Sequence, residues 1–177
     1  LNMRILFVCT GNISRSAMAE LMAPHIFKDP SLQFASAGTR GLHDHAISNE
    51  AGTLLRHDGI DQAAIDAFRS RRISPAIARE SDLILCFEHA QRSDIATENP
   101  LKARRTFLMT DFANLCELCA RNGWLEGADF TARVESAIAN VGLARPELPQ
   151  AQDIDDPQGQ GMEAFITAHN ELVRMLK

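Results

Sequence analysis

The amino-acid sequence predicts one α/β domain in which a parallel β-sheet is flanked by helices. Apolar runs with the length of a buried strand alternate with longer stretches whose apolar residues recur at helical spacing. No repeat, low-complexity tract or flexible linker divides the 177 residues, and 45% of them are hydrophobic, enough for one sizeable core. Because strands and helices alternate, we expect a parallel sheet that binds ligands beyond the carboxyl ends of its strands.

The predicted strands are short apolar runs. Residues 3–9 and 82–87 are the clearest, because a strand buried on both faces is apolar almost throughout. Residues 32–37 and 105–109 have the same character more weakly. The first strand ends at Cys9, so we expect this residue at the ligand-binding edge of the sheet.

The predicted helices have apolar residues three and four positions apart. They cover residues 14–28, 45–57, 111–122, 127–140 and 159–176. Pro24 is expected to kink the first helix or to end its first part, and Gly59 is expected just beyond the end of the second. In the last helix, one face is expected to hold Met162, Phe165, Ile166, Leu172, Val173 and Leu176.

Composition excludes several classes of protein. The net charge of −5 argues against a general nucleic-acid surface. No apolar run reaches membrane-spanning length and no secretory signal opens the chain, so we expect no membrane insertion. Four cysteines without regular spacing are typical of a reducing compartment. We therefore expect a cytoplasmic protein.

The segment Cys-Thr-Gly-Asn-Ile-Ser-Arg-Ser at residues 9–16 joins the first predicted strand to the first predicted helix. Its cysteine can attack phosphorus, and the N–H groups of the turn and of the helix N-terminus can hold an anion. Arg15 can bind two phosphate oxygens with its planar fork, and this positive field favours the Cys9 thiolate. The Cys9 loop (residues 9–15) therefore predicts a phosphate site that carries its own nucleophile.

Residues 8–20 resemble the signature of the low-molecular-weight protein tyrosine phosphatase family. The Asp-Asp-Pro sequence at 155–157 resembles the Asp-Pro loop of that family, and residues 36–39 and 81–85 resemble two further family segments in the expected order. The resemblance implies a single three-layer domain over residues 1–177. It also implies a four-stranded parallel sheet of order 2-1-3-4, with a phosphate-binding loop after the first strand.

The resemblance and the chemistry together give each site residue a role. Cys9 is expected to form a cysteinyl-phosphate, Arg15 to clamp the phosphoryl oxygens, and Asp156 to act as general acid and base. Asp153 and Asp155 compete for the last role, but only Asp156 directly precedes the proline. The phosphate is expected to lie against Thr10, Gly11, Asn12, Ile13, Ser14 and Arg15, and the loop to be supported by Asn12, Ser16 and Ser36. This scheme requires neither a metal nor a cofactor.

The substrate implied by the resemblance is a phosphate monoester on a protein, above all phosphotyrosine, or a small aryl phosphate. Phosphate and sulfate-like anions are expected to bind the same loop. Three positions depart from the family: Ser14 replaces a cysteine found in many members, Gln158 follows the proline instead of an aromatic residue, and Phe68 lies near the place of a histidine that supports the loop through Ser36. His43 and His45 are expected near the rim of the site.

Residues 111–150 are longer than the corresponding stretch of the family and are expected to form an inserted helical pair followed by a proline-containing loop. This insertion either adds packing to the core or shapes access to the site. Cys116 and Cys119 lie inside this helical pattern without a second ligand pair, so we interpret them as helix cysteines rather than a zinc or redox motif.

Three alternatives stay open from the sequence. A protein-arginine phosphatase of the same fold would carry threonine where this chain has Ile13. A thioredoxin-linked arsenate reductase would need relay cysteines, of which only Cys86 is suitably placed. A non-catalytic phosphate-binding regulator would have kept the loop without turnover.

Overall fold

The computed structural model describes residues 2–176, in which four parallel strands form one sheet. The strands are β1 (Met3–Cys9), β2 (Leu32–Gly38), β3 (Leu83–Cys86) and β4 (Thr106–Leu108). Their order is β2-β1-β3-β4, which confirms the predicted sheet. The register places Cys9 opposite Gly38, and Val8 opposite Cys86, so the carboxyl ends of the three strands lie level at one edge.

Helices cover both faces of this sheet and produce the predicted three layers. In chain order they are α1 (Arg15–Phe27), α2 (Asn49–His57), α3 (Gln62–Ala67), α4 (Pro75–Glu80), α5 (His89–Glu98), α6 (Met109–Arg121), α7 (Phe130–Ala139), α8 (Val141–Ala144) and α9 (Met162–Leu176), with short 3-10 turns at Pro100–Arg105 and Arg145–Glu147. Helices α1, α6, α7 and α9 pack on one face, and α4 and α5 on the other.

The core is divided by the sheet into two clusters. The larger cluster contains Phe7, Met18 and Phe165. The smaller cluster contains Leu6 and Ile84, whose side chains project from the opposite face of the sheet. Burying one such side chain contributes about 1.5–3 kcal/mol. This packing holds the carboxyl edge of β1, and with it Cys9, in a rigid frame.

The helix predicted from residue 45 begins only at Asn49, where Ser48 caps it by accepting the N–H of Ala51. Residues 45–48 are instead bonded to other segments: the N–H of His45 donates to Ser70 Oγ, and the N–H of Ser48 donates to the carbonyl of Ile13 in the Cys9 loop. A helix cannot form where the N–H groups are already taken by a distant segment. Gly59 does follow the helix, with a φ of 84°.

Helix α1 continues through Pro24 to Phe27, so the expected break does not occur there. Pro24 lies exposed in the last turn, and Lys28 still donates to its carbonyl. The missing N–H removes one helical hydrogen bond close to the helix end. Helix α1 buries Met18 and Met22 against the core.

The predicted fourth strand and the predicted buried face of the last helix differ in detail from the structure. The strand predicted at 105–109 is shorter, because α6 begins directly at Met109. Two residues assigned to the buried face of α9, Met162 and Ile166, are 41% and 40% exposed.

Within residues 2–176, no helix has both the length and the apolar composition needed to cross a membrane.

Candidate active site

The Cys9 loop leaves β1 at the carboxyl edge of the sheet and returns into α1. Its carbonyls at Cys9, Thr10 and Ile13 all accept hydrogen bonds from the segment 39–48. The carbonyls therefore point outward, and the N–H groups of the loop are left for the inside. Within residues 2–176, the backbone N–H groups at positions 11, 13, 14 and 15 have no hydrogen-bond acceptor. Such a ring of N–H groups is an anion-binding concavity.

Asn12 holds the loop in shape from its centre. Its φ of 58° is a left-handed conformation, which asparagine tolerates better than most residues. Its Nδ2 donates to Ser16 Oγ and to Ser36 Oγ, both at 2.8 Å. Its Oδ1 accepts the backbone N–H of Arg71 at 2.9 Å, which fixes the orientation of the amide. The two contacts to the serines are buried, and the contact to Arg71 is partly buried.

The thiol of Cys9 is buried and faces two hydrogen-bond donors. Ser16 Oγ lies 2.9 Å from Cys9 Sγ, and the backbone N–H of Asn12 donates to the same sulfur at 3.3 Å. Hydrogen bonds given to the charged form of a group favour that form. The arrangement therefore favours a thiolate, the form in which cysteine is a nucleophile.

Arg15 begins α1 and is only 1% exposed. Its Nη1 donates to Glu88 Oε2 at 2.6 Å and to the carbonyl of Ile154 at 2.7 Å. Its buried Nε has no hydrogen-bond partner among the described residues. An unpaired buried donor of a charged group is costly, and this one lies beside the unpaired N–H groups of the Cys9 loop. Both observations indicate an anion as the missing acceptor.

Glu88 and Gln91, which sequence reasoning missed, join the Cys9 loop to the start of α5. The buried amide of Gln91 donates to Thr10 Oγ1 at 3.1 Å and to Glu88 Oε2 at 2.9 Å. Its oxygen accepts the N–H groups of Phe87 and Glu88. Glu88 and Gln91 form a capping box at the N-terminus of α5. Because Glu88 also accepts a hydrogen bond from Arg15, the cap of α5 also fixes the Arg15 side chain.

The Asp-Pro loop (residues 153–157) is anchored to the end of β3 by the hydrogen bond from the Ile154 N–H to the carbonyl of Phe87. Its three aspartates face different environments. Asp153 accepts two hydrogen bonds from His89, and Asp155 is exposed. Only Asp156 approaches the site, with its Oδ2 3.9 Å from Arg15 Nη2. Proximity therefore separates Asp156 from its two neighbours.

Ser36 supports the loop by a route that the sequence did not predict. Its hydroxyl donates to Glu20 Oε1 at 2.7 Å, while Phe68, near the place of the family histidine, is buried in the core. Burial raises the pKa of Glu20, and the hydrogen bond from Ser36 and the charge of Arg71 oppose that rise. The hydrogen bonds that support the Cys9 loop therefore end at the carboxyl group of Glu20 in α1.

The rim of the site includes an apolar side chain that the sequence did not single out. A Cβ built on Gly11 would lie 3.5 Å from Leu42 Cδ1, so Leu42 lies over the Cys9 loop. His43 and His45 are exposed on the same connection between β2 and α2. Ile13, inside the loop, is half-buried.

The remaining cysteines lie away from the nucleophile. Cys86 belongs to the smaller core cluster, and Cys9 to the larger one, so their side chains project from opposite faces of the sheet. Cys116 and Cys119 are half-buried and buried cysteines of α6, as the sequence predicted. Burial raises the pKa of Cys86 and of Cys116 to about 12. Neither thiol is ionised near neutral pH.

A cysteine at the head of an anion-binding loop, in a parallel sheet of order 2-1-3-4, is the arrangement of the small cysteine-dependent phosphatases. A family model described as low molecular weight phosphotyrosine protein phosphatase matches residues 4–119, more than half of the chain. The chain belongs to this family, and the resemblance of the sequence is confirmed.

A curated relative agrees with this assignment, and two solved structures share the fold. The low molecular weight protein-tyrosine-phosphatase Etp of Escherichia coli is 30% identical over 104 residues, which are 59% of this chain and 67% of that protein. The low molecular weight protein tyrosine phosphatase of T. tengcongensis superposes with a TM-score of 0.71 at 24% identity, over 99% of this chain and 95% of that one. The YwlE arginine phosphatase of Geobacillus stearothermophilus gives a TM-score of 0.71 at 24% identity, over 98% and 88%. The two structural likenesses show the fold.

Proposed function

We propose that this protein hydrolyses phosphate monoesters on proteins, phosphotyrosine above all, through a cysteinyl-phosphate on Cys9. The observation that carries the proposal is the unpaired buried Nε of Arg15 beside the unpaired N–H groups of the Cys9 loop. A phosphoryl group would supply acceptors to all of them at once. Family membership supports the same chemistry.

In the first step, Arg15 and the loop residues Thr10, Gly11, Asn12, Ile13 and Ser14 hold the phosphoryl oxygens, and the Cys9 thiolate attacks phosphorus. The S–P bond forms as the bond from phosphorus to the leaving oxygen breaks. Asp156 gives its proton to that oxygen, so that a neutral alcohol or phenol departs. The positive field of Arg15 and the backbone dipoles stabilises the charge of the transition state.

In the second step, a water molecule attacks phosphorus opposite the sulfur. Asp156, now a carboxylate, takes a proton from this water, and the S–P bond breaks to regenerate the Cys9 thiolate. The donor of Ser16, 2.9 Å from the sulfur, stabilises the thiolate as a leaving group. Inorganic phosphate is then released from the loop.

The substrate side of the site is apolar without being aromatic. Leu42 lies over the loop, Ile13 is part of it, and Pro157 is followed by Gln158. We propose that the phenyl ring of the substrate packs against these aliphatic side chains. Phosphotyrosine is then favoured by the length of its side chain and by its phenol leaving group more than by ring stacking. The cytoplasm is the proposed location, because a reducing compartment preserves the thiolate.

The alternatives are less well supported by the same geometry. An arsenate reductase would relay electrons from Cys9 to a nearby thiol, but Cys86 projects from the other face of the sheet. An arginine phosphatase would need room and a polar partner for a guanidinium group, and Ile13 provides neither. A passive regulator would have no use for Asp156 next to Arg15.

We propose that the insertion at residues 111–150 adds packing to the core rather than a roof over the site. Phe130 of α7 packs on Phe27 of α1, with ring centroids 5.3 Å apart. Arg145 binds the carboxylate of Asp111 through two contacts of 2.9 Å. The first contact joins the insertion to the larger core cluster, and the second joins two parts of the insertion to each other.

The proposed function is tested by hydrolysis of aryl phosphates without added metal. We expect the wild type to turn over, Cys9→Ser to be inactive, and Asp156→Ala to lose on the order of a hundred- to ten-thousand-fold in rate. The loss should grow as the leaving phenol becomes more basic. Asp155→Ala is the matched control and should retain activity. A wild type that binds phosphate without turnover, or equal effects of both aspartate variants, would contradict the proposal.

A further inference from the structure

A continuous chain of hydrogen bonds connects the thiol of Cys9 to the carboxyl group of Glu20. Ser16 Oγ lies 2.9 Å from Cys9 Sγ and receives a hydrogen bond of 2.8 Å from Asn12 Nδ2. The same Nδ2 donates at 2.8 Å to Ser36 Oγ, which donates at 2.7 Å to Glu20 Oε1. Four contacts therefore lie between the nucleophile and a carboxyl group that takes no part in the phosphoryl chemistry.

The direction of each hydrogen bond in this chain follows from a count of protons. The Arg71 N–H fixes the Asn12 amide by donating to its Oδ1. Both hydrogens of Asn12 Nδ2 are then given to the two serine hydroxyls. Each hydroxyl then has its single hydrogen left for another acceptor: Ser36 gives it to Glu20, and Ser16 gives it to the sulfur at 2.9 Å in preference to the Ala37 carbonyl at 3.4 Å.

We propose that Glu20 is a positioning residue for Cys9, because its acceptance of the Ser36 hydroxyl fixes the direction of the chain that aims the Ser16 hydroxyl at the thiolate. The inference deepens the proposed function, since it concerns the same cysteine. It does not require turnover, because thiolate formation can be measured by itself.

Without an acceptor at position 20, the Ser36 hydrogen has no partner in this direction and turns toward Asn12. Two donors then oppose each other, and the Asn12 amide loses a partner or rotates. Ser16 has an alternative acceptor in the carbonyl of Ala37, 3.4 Å away. Once Asn12 no longer holds it, Ser16 can donate there and leave the sulfur without its hydroxyl donor.

Charge and hydrogen bonding at Glu20 act on the thiolate in opposite directions. Removing a nearby negative charge favours the thiolate, and Arg71, the charged group that faces Glu20, would then act unopposed. Removing the acceptor disfavours the thiolate through Ser16. A variant that removes only the charge and a variant that removes both therefore separate the two effects.

The variants are Glu20→Gln, which keeps an acceptor oxygen, and Glu20→Met, which keeps the volume without one. The readout is the rate of Cys9 alkylation by iodoacetamide against pH, followed on the Cys9 peptide by mass spectrometry. Exposed Glu98→Met is the control for the same change of charge. Thermal melting establishes that each variant is folded.

We expect Glu20→Met to move the midpoint of the alkylation curve upward by about one pH unit, the size expected for a lost hydrogen bond to a charged group. Glu20→Gln should leave the midpoint in place or lower it. Adding Ser36→Ala to Glu20→Met removes the opposing hydroxyl and should return the midpoint toward the wild type. A downward shift in Glu20→Met, no shift, or no return in the double variant would overturn the proposal.

The same measurement distinguishes this inference from the proposed function. If Cys9 alkylation responds as expected but no aryl phosphate is hydrolysed, the positioning of the thiolate by Glu20 stands and the proposed reaction fails. If hydrolysis depends on Cys9 but its alkylation ignores Glu20, only the inference about Glu20 fails.

Discussion

Cys9 lies among hydrogen-bond donors of which some have a partner and some have none, and the residue-scale chemistry follows from this difference. Ser16 and the Asn12 N–H serve the sulfur, and Glu88 holds one end of the Arg15 fork. What is left over is the Nε of Arg15 and the inward N–H groups of the loop. These leftover donors, more than the residues that are satisfied, specify a phosphoryl group.

The residue before Arg15 determines how Cys9 responds to oxidation. Ser14 stands where many family members have a second cysteine, and Cys86 lies on the other face of the sheet. We expect peroxide to drive Cys9 past the sulfenic acid to irreversible forms. Ser14→Cys should form a disulfide with Cys9 and regain most of its activity with dithiothreitol, whereas the wild type should not. Full recovery of the wild type after strong peroxide treatment would count against this.

At the scale of elements, the Cys9 loop depends on how closely β2 approaches it. Gly38 ends β2 opposite Cys9, and a Cβ there would lie 2.5 Å from the carbonyl oxygen of Thr10 and 3.2 Å from the carbonyl carbon of Gly11. Both neighbours are backbone atoms, which cannot rotate away. The close approach sets the position of the loop relative to the sheet.

Gly38→Ala should therefore displace the Cys9 loop and reduce kcat/KM by on the order of a hundredfold, since small misplacements at a reacting centre are that costly. Gly142→Ala in α8 is the matched control, because a Cβ there meets nothing within 4 Å. It should leave kcat/KM unchanged. Comparable kcat/KM values for the two variants would show that the loop does not need this contact.

Element prediction succeeded where burial alone decides the pattern and failed where polar contacts decide it. The runs of β1 and β3 are apolar because both faces of the sheet are covered. Helix α5 escaped prediction because it buries only Gln91 and Ile95, too few for a periodic pattern. Helix α2 starts late because the N–H groups of His45 and Ser48, in its expected first turn, donate to Ser70 and to the Ile13 carbonyl of the Cys9 loop.

Across the whole molecule, the site is assembled from segments far apart in the chain. Arg15 meets Glu88 at a separation of 73 residues and the carbonyl of Ile154 at a separation of 139. The motif at residues 9–16 and the Asp-Pro sequence could be read from the chain. The partners Glu20, Glu88 and Gln91 could not, because ordinary polar residues acquire these roles only when the fold brings them to the loop.

An ion pair between the 3-10 turn before β4 and the insertion gives a pH-dependent contribution to stability. Arg105 donates to both carboxylate oxygens of Glu135, at 2.8 and 2.9 Å, and these hydrogen bonds lower the pKa of Glu135. A carboxyl group with a lowered folded-state pKa stabilises the fold above its unfolded pKa, and this stabilisation is lost as the pH falls through the folded value.

Glu135→Gln should therefore lower the free energy of unfolding at pH 7 by less than about 1 kcal/mol, because both side chains are more than a third exposed and solvent screens the pair. The difference from the wild type should shrink as the pH falls below the folded-state pKa of Glu135. Urea unfolding at several pH values measures this difference in the free energy of unfolding, and the exposed variant Glu126→Gln is the control. A difference that persists in acid would show that the pair acts through packing.

The most direct test of the account is to trap the phosphoenzyme by rapid quenching of Asp156→Ala with an aryl phosphate that has a good leaving group. Such a substrate does not need the acid for the first step, while the breakdown of the intermediate still needs the base. Mass spectrometry should find one phosphoryl group per chain, on the sulfur of Cys9, and none in the Cys9→Ala/Asp156→Ala variant. Turnover without this adduct, or an adduct on another residue, would contradict the assignment of Cys9 as nucleophile.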